Sequence, residues 1–223
     1  MFLGHFAVGF AAKKITPKVS LGTLFLAVQL QDLLWPLFLL LGFEHVRISP
    51  GDTAMTPFDF YDYPITHSLL GAALLAAALG LIYWTVRKSI KPAIVVSVAA
   101  LSHWLLDFIT HRPDLPLTYT GDTKVGLGLW NSVGVAVGLE LVLFTVGIFL
   151  YMKATTARNL KGKYGLVALL VILAGIYVSN IFGPPPPAVD MVAVAGNAMW
   201  LFVLLGYWVD RNRTPVPPQG AGL

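Results

Sequence analysis

Cysteine is absent from all 223 residues. Its absence excludes disulfides and thiolate metal ligands, so any metal centre here must be built from His, Asp, Glu, Asn or backbone oxygen. Charge is scarce as well: Asp, Glu, Lys and Arg together make up 12% of the chain, against about 25% in soluble domains. What fills the gap is apolar, at 57% hydrophobic residues with a mean hydropathy of +0.74. A chain of this kind exceeds what a soluble core can bury and reads as an integral membrane protein.

A spanning helix needs about 20 apolar residues. The chain offers a short apolar helix over 2–14 and full spans near 20–42, 64–86, 92–110, 127–152, 164–182 and 190–209. Pro17, Pro64, Pro92 and the run Pro184 to Pro187 mark the breaks, because proline starts or ends helices. The predicted fold is therefore all-α: a polytopic membrane helix bundle of six transmembrane spans plus the N-terminal apolar helix. One domain covers 1–213, and the stretch 214–223, TPVPPQGAGL, reads as a disordered tail. MFLGHFAVGFAA lacks a basic leading region and a clear small-residue cleavage site, so it is expected to stay in the mature chain.

The net charge of +4 is sorted by loop rather than spread. Strict alternation of six spans puts twelve of the fifteen basic residues, from Lys13 through Arg213, on one side, which the positive-inside rule makes cytoplasmic. Only Arg47, Arg112 and Lys124 fall opposite, together with Glu44, Asp52, Asp59, Asp62, Asp114, Asp122 and Asp190. The sorting reads as topology and not as a nucleic-acid surface, and it places the C-terminus in the cytoplasm.

Ionisable groups inside spans cost roughly 2.5–3.5 kcal/mol each on insertion scales and usually face a bundle interior. This chain has few. At a rise of about 1.5 Å per residue, Asp32 and His103 lie roughly 17–18 Å from the cytoplasmic edge and Asp107 roughly 22 Å. His67 enters about 5 Å from the outer edge, and His5 in the N-terminal helix reaches roughly 12 Å or more. All five can meet in the outer half of the bilayer, and three imidazoles with two carboxylates suit a divalent ion, Zn²⁺ foremost, with Mn²⁺ or Fe²⁺ as alternatives.

Each residue also has a blander reading. His5 alone could be an interfacial side chain, Asp32 could satisfy backbone groups freed by Pro36, and His67 could be a helix-start contact. His103 and Asp107 resist this, since packing favours Ser or Asn over two titratable groups. His111 stands four residues beyond Asp107 and could extend the same helical face. Asp59 and Asp62 fall in FDFYDYP, residues 58–64, an aromatic stretch that reads as an interfacial belt or a lid. Glu140 lies near midplane and reads first as a buried hydrogen-bond partner.

The segments GHFAVGF, QDLLWP, THSLL and SHWLLDFITH, in that order, resemble a family of small bacterial inner-membrane proteins described as membrane-bound, metal-dependent hydrolases, one member of which is described as LexA-binding. The resemblance covers about the first half of the chain. It implies a bacterial inner-membrane location and His5, Asp32, His67, His103 and Asp107 as the motif positions. Two departures stand out: Gln31, Asp32, Leu33 and Leu34 replace a Pro-Asp-x-Asp pattern, and Tyr63, Pro64 and Ile65 stand where an Arg often precedes Thr-His-Ser. The order His, Asp, His, then His-x-x-x-Asp and a further His is also similar to the ligand series of zinc-dependent phospholipase C and P1-type nucleases. That similarity implies that Asp107 bridges two ions and that His111 binds the second.

The function expected from these readings is a metal-dependent hydrolase with its site in the outer half of the bilayer. It would act on a phosphoester of a lipid or lipid-linked molecule, with Asp32, Asp59 or Asp62 as general base. The alternatives are an ion- or proton-coupled transporter, which needs a polar path to the cytoplasmic side, and a non-catalytic scaffold locked by a structural metal.

Overall fold

The structure is a computed structural model describing residues 1–120 and 122–216. Ten α-helices run through it: α1 (Leu3–Ile15), α2 (Leu21–Val28), α3 (Leu30–Leu40), α4 (Pro64–His67), α5 (Leu69–Arg87), α6 (Ile90–Thr110), α7 (Val133–Ala154), α8 (Leu160–Phe182), α9 (Val189–Asn197) and α10 (Trp200–Arg211). Three small antiparallel pairs join them: β1 (His45–Ile48) with β2 (Phe58–Asp62), β3 (Leu115–Pro116) with β4 (Lys124–Val125), and β5 (Thr155–Ala157) with β6 (Arg213–Pro215). Helices α5, α6, α7 and α8 and the line of α9 with α10 are long and apolar enough to cross a membrane. The pair α2 and α3, bent by 58° at Gln29, is the sixth candidate. An all-α polytopic bundle is therefore what this chain forms.

Its surface is inverted relative to a soluble protein. Leu81, Val98, Val142, Val171 and Leu204 lie exposed on the long helices, while His5, His103, Asp107 and Glu140 are buried. Apolar side chains facing outward gain nothing from packing inside a bilayer protein, so the polar groups are the ones that must find partners within.

Apart from His5 and the two lysines of its last turn, helix α1 is apolar, and most of its residues are buried, as suits a helix enclosed by others. At 13 residues and about 20 Å, it is too short to cross the ~30 Å apolar layer, and it packs against α7, α2 and α6. Gly147 of α7 lets the backbone of Ala7 approach closely; a Cβ there would strike the Ala7 carbonyl. The first N–H groups of α1 open toward α7 inside the protein. Glu140 of α7 accepts them, from Phe2 at 2.9 Å and Gly4 at 3.1 Å. This is the hydrogen-bonding role expected of Glu140, and it holds the turn that carries His5.

Three local departures from the sequence reading have physical causes. The span expected over 64–86 is broken: Ser68 leaves the helical region and its side chain accepts the Gly71 N–H, which caps α5 and leaves His67 as the last residue of a separate single turn. Lys13, counted among the loop charges, is not a surface charge. It is 2% exposed and buries its ammonium against Val19 O and Asp210. Residues 214 and 215, assigned to a disordered tail, pair with Thr156 and Thr155 in the β5–β6 ladder, pinned by Arg213 on Thr155 and Gly162. Residues 217–223 of that tail lie outside the described residues.

Candidate metal centre

Four helices, α1, α3, α4 and α6, converge beside the 44–63 and 111–131 connections. Asp32 sits in the first turn of α3, just past the bend. His67 ends α4, His103 and Asp107 stand one turn apart near the end of α6, and His5 lies in α1. Two groups of three donors form, His5 with His103 and Asp107, and Asp32 with His67 and His103; within each group the donor atoms lie within 4.8 Å of one another. His103 belongs to both. The structure thus brings together all five residues expected inside the membrane, with side chains able to hold a divalent ion.

The donor spacing fits such an ion. Around a four-coordinate centre with bonds of about 2.0–2.1 Å, ligand atoms stand roughly 3.3 Å apart. Asp32 Oδ1 lies 3.4 Å from His67 Nε2 and 3.6 Å from His103 Nε2, and Asp107 Oδ2 lies 3.0 Å from His103 Nε2. The His103 tautomer is set by its other nitrogen. Nδ1 lies 2.8 Å from the Val28 carbonyl oxygen, which only accepts, so Nδ1 carries the hydrogen and Nε2 turns toward the two carboxylates. That Val28 carbonyl is available because the α2–α3 break leaves it without a helical partner. Yet His103 Nε2 makes no hydrogen bond to either carboxylate among the described residues.

His5 reaches the cluster through Asp107, with Nε2 3.0 Å from Oδ1 and its ring stacked on His103 at 3.7 Å. Its Nδ1 is buried without a partner. The Met1 amine also lies 2.5 Å from Asp107 Oδ1. The bland reading of Asp32 fails, since its side chain is turned to two imidazoles. It is also the most open carboxylate of the centre, with 27% side-chain exposure against 3% for Asp107.

The remaining expected site residues lie elsewhere. His111 belongs to neither donor group. Helix α6 stops at Thr110, and His111 already has extended backbone at φ −63°, ψ 147°, because Arg112 before Pro113 cannot continue a helix comfortably. Its N–H still donates to the Asp107 carbonyl at 2.8 Å, so the i, i+4 relation of the backbone survives, but the ring does not join the Asp107 carboxylate. Instead His111 Nδ1 donates to Asp114 at 2.9 Å, beside the Tyr63 hydroxyl at 3.3 Å, and the ring packs on Trp130. Burial first, and then the Asp114 carboxylate, hold the Tyr63 phenol well above its ordinary range, so it remains a hydroxyl that can donate to Asp114.

Asp59 is bound to Arg112 at 2.6 Å, with Arg47 at 3.6 Å. Asp62 pairs with His45 at 2.7 Å on the exposed side of the β1–β2 hairpin. Neither is placed as a base at the centre. Arg112 also contacts Asp52 and Asp114, so the outer carboxylates close around one guanidinium. The FDFYDYP stretch forms β2 and the entry to α4. Phe60 contacts Trp35, Tyr63, His111 and Trp130, and Trp35 lies 6.3 Å from the His67 ring, making an aromatic layer beside the centre.

One residue beneath that layer was not singled out by sequence: Glu44, fully buried in the turn after α3. Its Oε1 accepts the N–H groups of Ile65 and Thr66 at 2.7 and 2.8 Å, and its Oε2 accepts the Thr66 hydroxyl at 2.7 Å. Thr66 Oγ1 is in turn 2.7 Å from His67 Nδ1. The available signal was a glutamate within the apolar LGFEHV segment and a threonine directly before a candidate ligand. Comparison with protein-family models, with curated proteins and with solved structures finds no match to this chain.

Proposed function

We propose that this protein is a metal-dependent hydrolase of the bacterial inner membrane, acting on a phosphoester of a lipid or lipid-linked molecule from a site in the outer half of the bilayer, with the C-terminus cytoplasmic. The observation that carries this reading is the state of His103 Nε2. It is buried between two carboxylates at 3.0 and 3.6 Å and hydrogen-bonded to neither. The Met1 ammonium answers one of the two carboxylates, Asp107; the His103 lone pair and the Asp32 carboxylate that remain are stabilised by a cation between them.

The ligands in this reading are Asp32, His67, His103 and Asp107, with His5 supporting Asp107, and Zn²⁺ suits the imidazole–carboxylate set best. Such an ion supplies an activated water at neutral pH and polarises a phosphoryl oxygen. The chain's own groups do the rest. Asp32, open on one side, would accept the proton of the attacking water and return it to the ester oxygen released as the P–O bond breaks, in place of Asp59 and Asp62, which are held by Arg112 and His45. Asp107 and His103, with little or no exposure, keep the inner wall closed. The aromatic layer of Trp35, Phe60 and Tyr63 offers an amphipathic border at head-group level.

Transport is the weaker reading. Toward the cytoplasmic end of α1 the centre is followed by Phe6, Phe10, Leu21, Leu24 and Phe25, all 0% exposed, and this apolar plug is a poor route for ions. The test is hydrolysis by purified, zinc-loaded protein in lipid nanodiscs, against phosphomonoesters, phosphodiesters and lipid phosphates, beside Asp32→Asn and His103→Ala. Phosphate-ester cleavage lost in both variants supports the reading. A zinc-loaded wild type inert on the whole panel overturns it.

A further inference from the structure

We infer that Glu44 and Thr66 form a polarity lock that commits His67 to the one tautomer able to bind a metal. The inference rests on the metal-centre reading above and names two positioning residues for it.

The Glu44 carboxylate takes three short bonds, two from backbone N–H groups and one from the Thr66 hydroxyl. A carboxylate has only lone pairs to offer, so Thr66 must spend its single hydrogen on Glu44. Thr66 Oγ1 can then act toward His67 Nδ1 only as an acceptor, and at 2.7 Å it receives the Nδ1 hydrogen. His67 Nε2 is left with its lone pair, aimed at the shared space beside Asp32. The opposite tautomer would put a hydrogen on Nε2 and remove the ligand.

Every link in this chain is buried: Glu44 and Thr66 at 0% exposure and His67 at 4%. Water therefore cannot substitute for a missing link or scramble its direction. The backbone supports it too. Glu44 receives Ile65 and Thr66 N–H at the first turn of α4, where Pro64 contributes no donor and the carboxylate is the natural partner for the open amides. The trans-placed Glu44 thus fixes both the position of the turn and the electronic state of the imidazole at its end. His103 reaches the same tautomer by a different route, through the Val28 carbonyl.

Glu44→Gln makes the sharpest test because it reverses the chain rather than cutting it. The amide oxygen still accepts the backbone N–H groups, but the amide nitrogen now donates to Thr66. The Thr66 hydroxyl then turns to His67 Nδ1, and the hydrogen moves to Nε2. Thr66→Val cuts the link, and Thr66→Ser keeps it.

The measurement is nitrogen NMR of selectively ¹⁵N-His-labelled, metal-free protein in nanodiscs, followed by Zn²⁺ titration of each variant. Expected are an Nδ1–H tautomer for His67 in the wild type and in Thr66→Ser, and an Nε2–H tautomer in Glu44→Gln. Zn²⁺ affinity should fall about 10–100-fold in Glu44→Gln and Thr66→Val, the range for losing an outer partner of a ligand, and stay at the wild-type level in Thr66→Ser. A wild-type His67 protonated on Nε2, or a Glu44→Gln protein that keeps both tautomer and affinity, overturns the inference. Because the tautomer is read without metal, a wild type that binds no Zn²⁺ while showing the Nδ1–H form would count against the metal centre and leave the lock standing.

Discussion

Two buried polar clusters flank α1, and comparing them separates packing from function. At the end of the helix, Lys13 gives its ammonium to Val19 O at 2.7 Å and to Asp210 at 2.6 Å, Tyr151 donates to Asp210 at 3.3 Å, and Arg213 completes the knot on Thr155 and Gly162. Among the described residues, no buried side-chain nitrogen or oxygen of these groups lacks a partner. Near the start of the helix, His5 Nδ1 and His103 Nε2 are buried and unpartnered, and two carboxylates crowd His103 Nε2. Both clusters are enclosed. The first is closed upon itself and ties Lys13 to Asp210; the second sets two carboxylates, Asp32 and Asp107, against the single Met1 ammonium, and the open imidazole nitrogens beside that imbalance mark a binding site where burial alone would not.

Each half of this contrast can be broken separately. Replacing Lys13 with Met should leave Asp210 buried and unpaired and destabilise the protein by roughly 3–5 kcal/mol, read by denaturant unfolding in detergent, with metal content per folded molecule unchanged. Metal loss as severe as the stability loss would mean that the two clusters are not separable. His103→Ala should do the reverse: Zn²⁺ affinity should fall by more than the about 100-fold that bounds the loss of an outer partner, while helical content by circular dichroism is retained.

Glu140→Leu probes the link between the two ends. It strands the Phe2 and Gly4 N–H groups and should cost about 1–3 kcal/mol, with a smaller drop in Zn²⁺ affinity than His103→Ala. The finest discrimination lies in the outer carboxylates and His111. Asp59→Asn, Asp62→Asn and His111→Gln should each change Zn²⁺ affinity by less than about threefold, the level of substitutions away from a site. A tenfold loss in any of them would return that residue to the centre.

The contrast also shows what a sequence can carry. Helical periodicity and the rarity of charge were enough to find the spans, because each is written in consecutive residues. They also picked out His5, Asp32, His67, His103 and Asp107, since in-span ionisable groups are few and depth follows from helical rise. His111 keeps its i, i+4 backbone bond to Asp107 yet stands outside both donor groups, because its ring is taken by Asp114, a partner that the spacing does not reveal. Lys13 and Glu44 enter the sequence reading only as charges sorted by side, since nothing local reveals Asp210, 197 residues away, or Thr66, 22 residues away. The distinction between a closed and an open cluster is a property of angles and partners, which spacing cannot express.

The most direct test of the centre is the metal content of purified protein by elemental mass spectrometry, taken beside His103→Ala and Lys13→Met. Near-stoichiometric divalent metal in the wild type and in folded Lys13→Met, lost in His103→Ala, is the result expected. A wild type that stays metal-free after Zn²⁺, Mn²⁺ and Fe²⁺ are resupplied, or a His103→Ala protein that keeps its metal, would contradict the account.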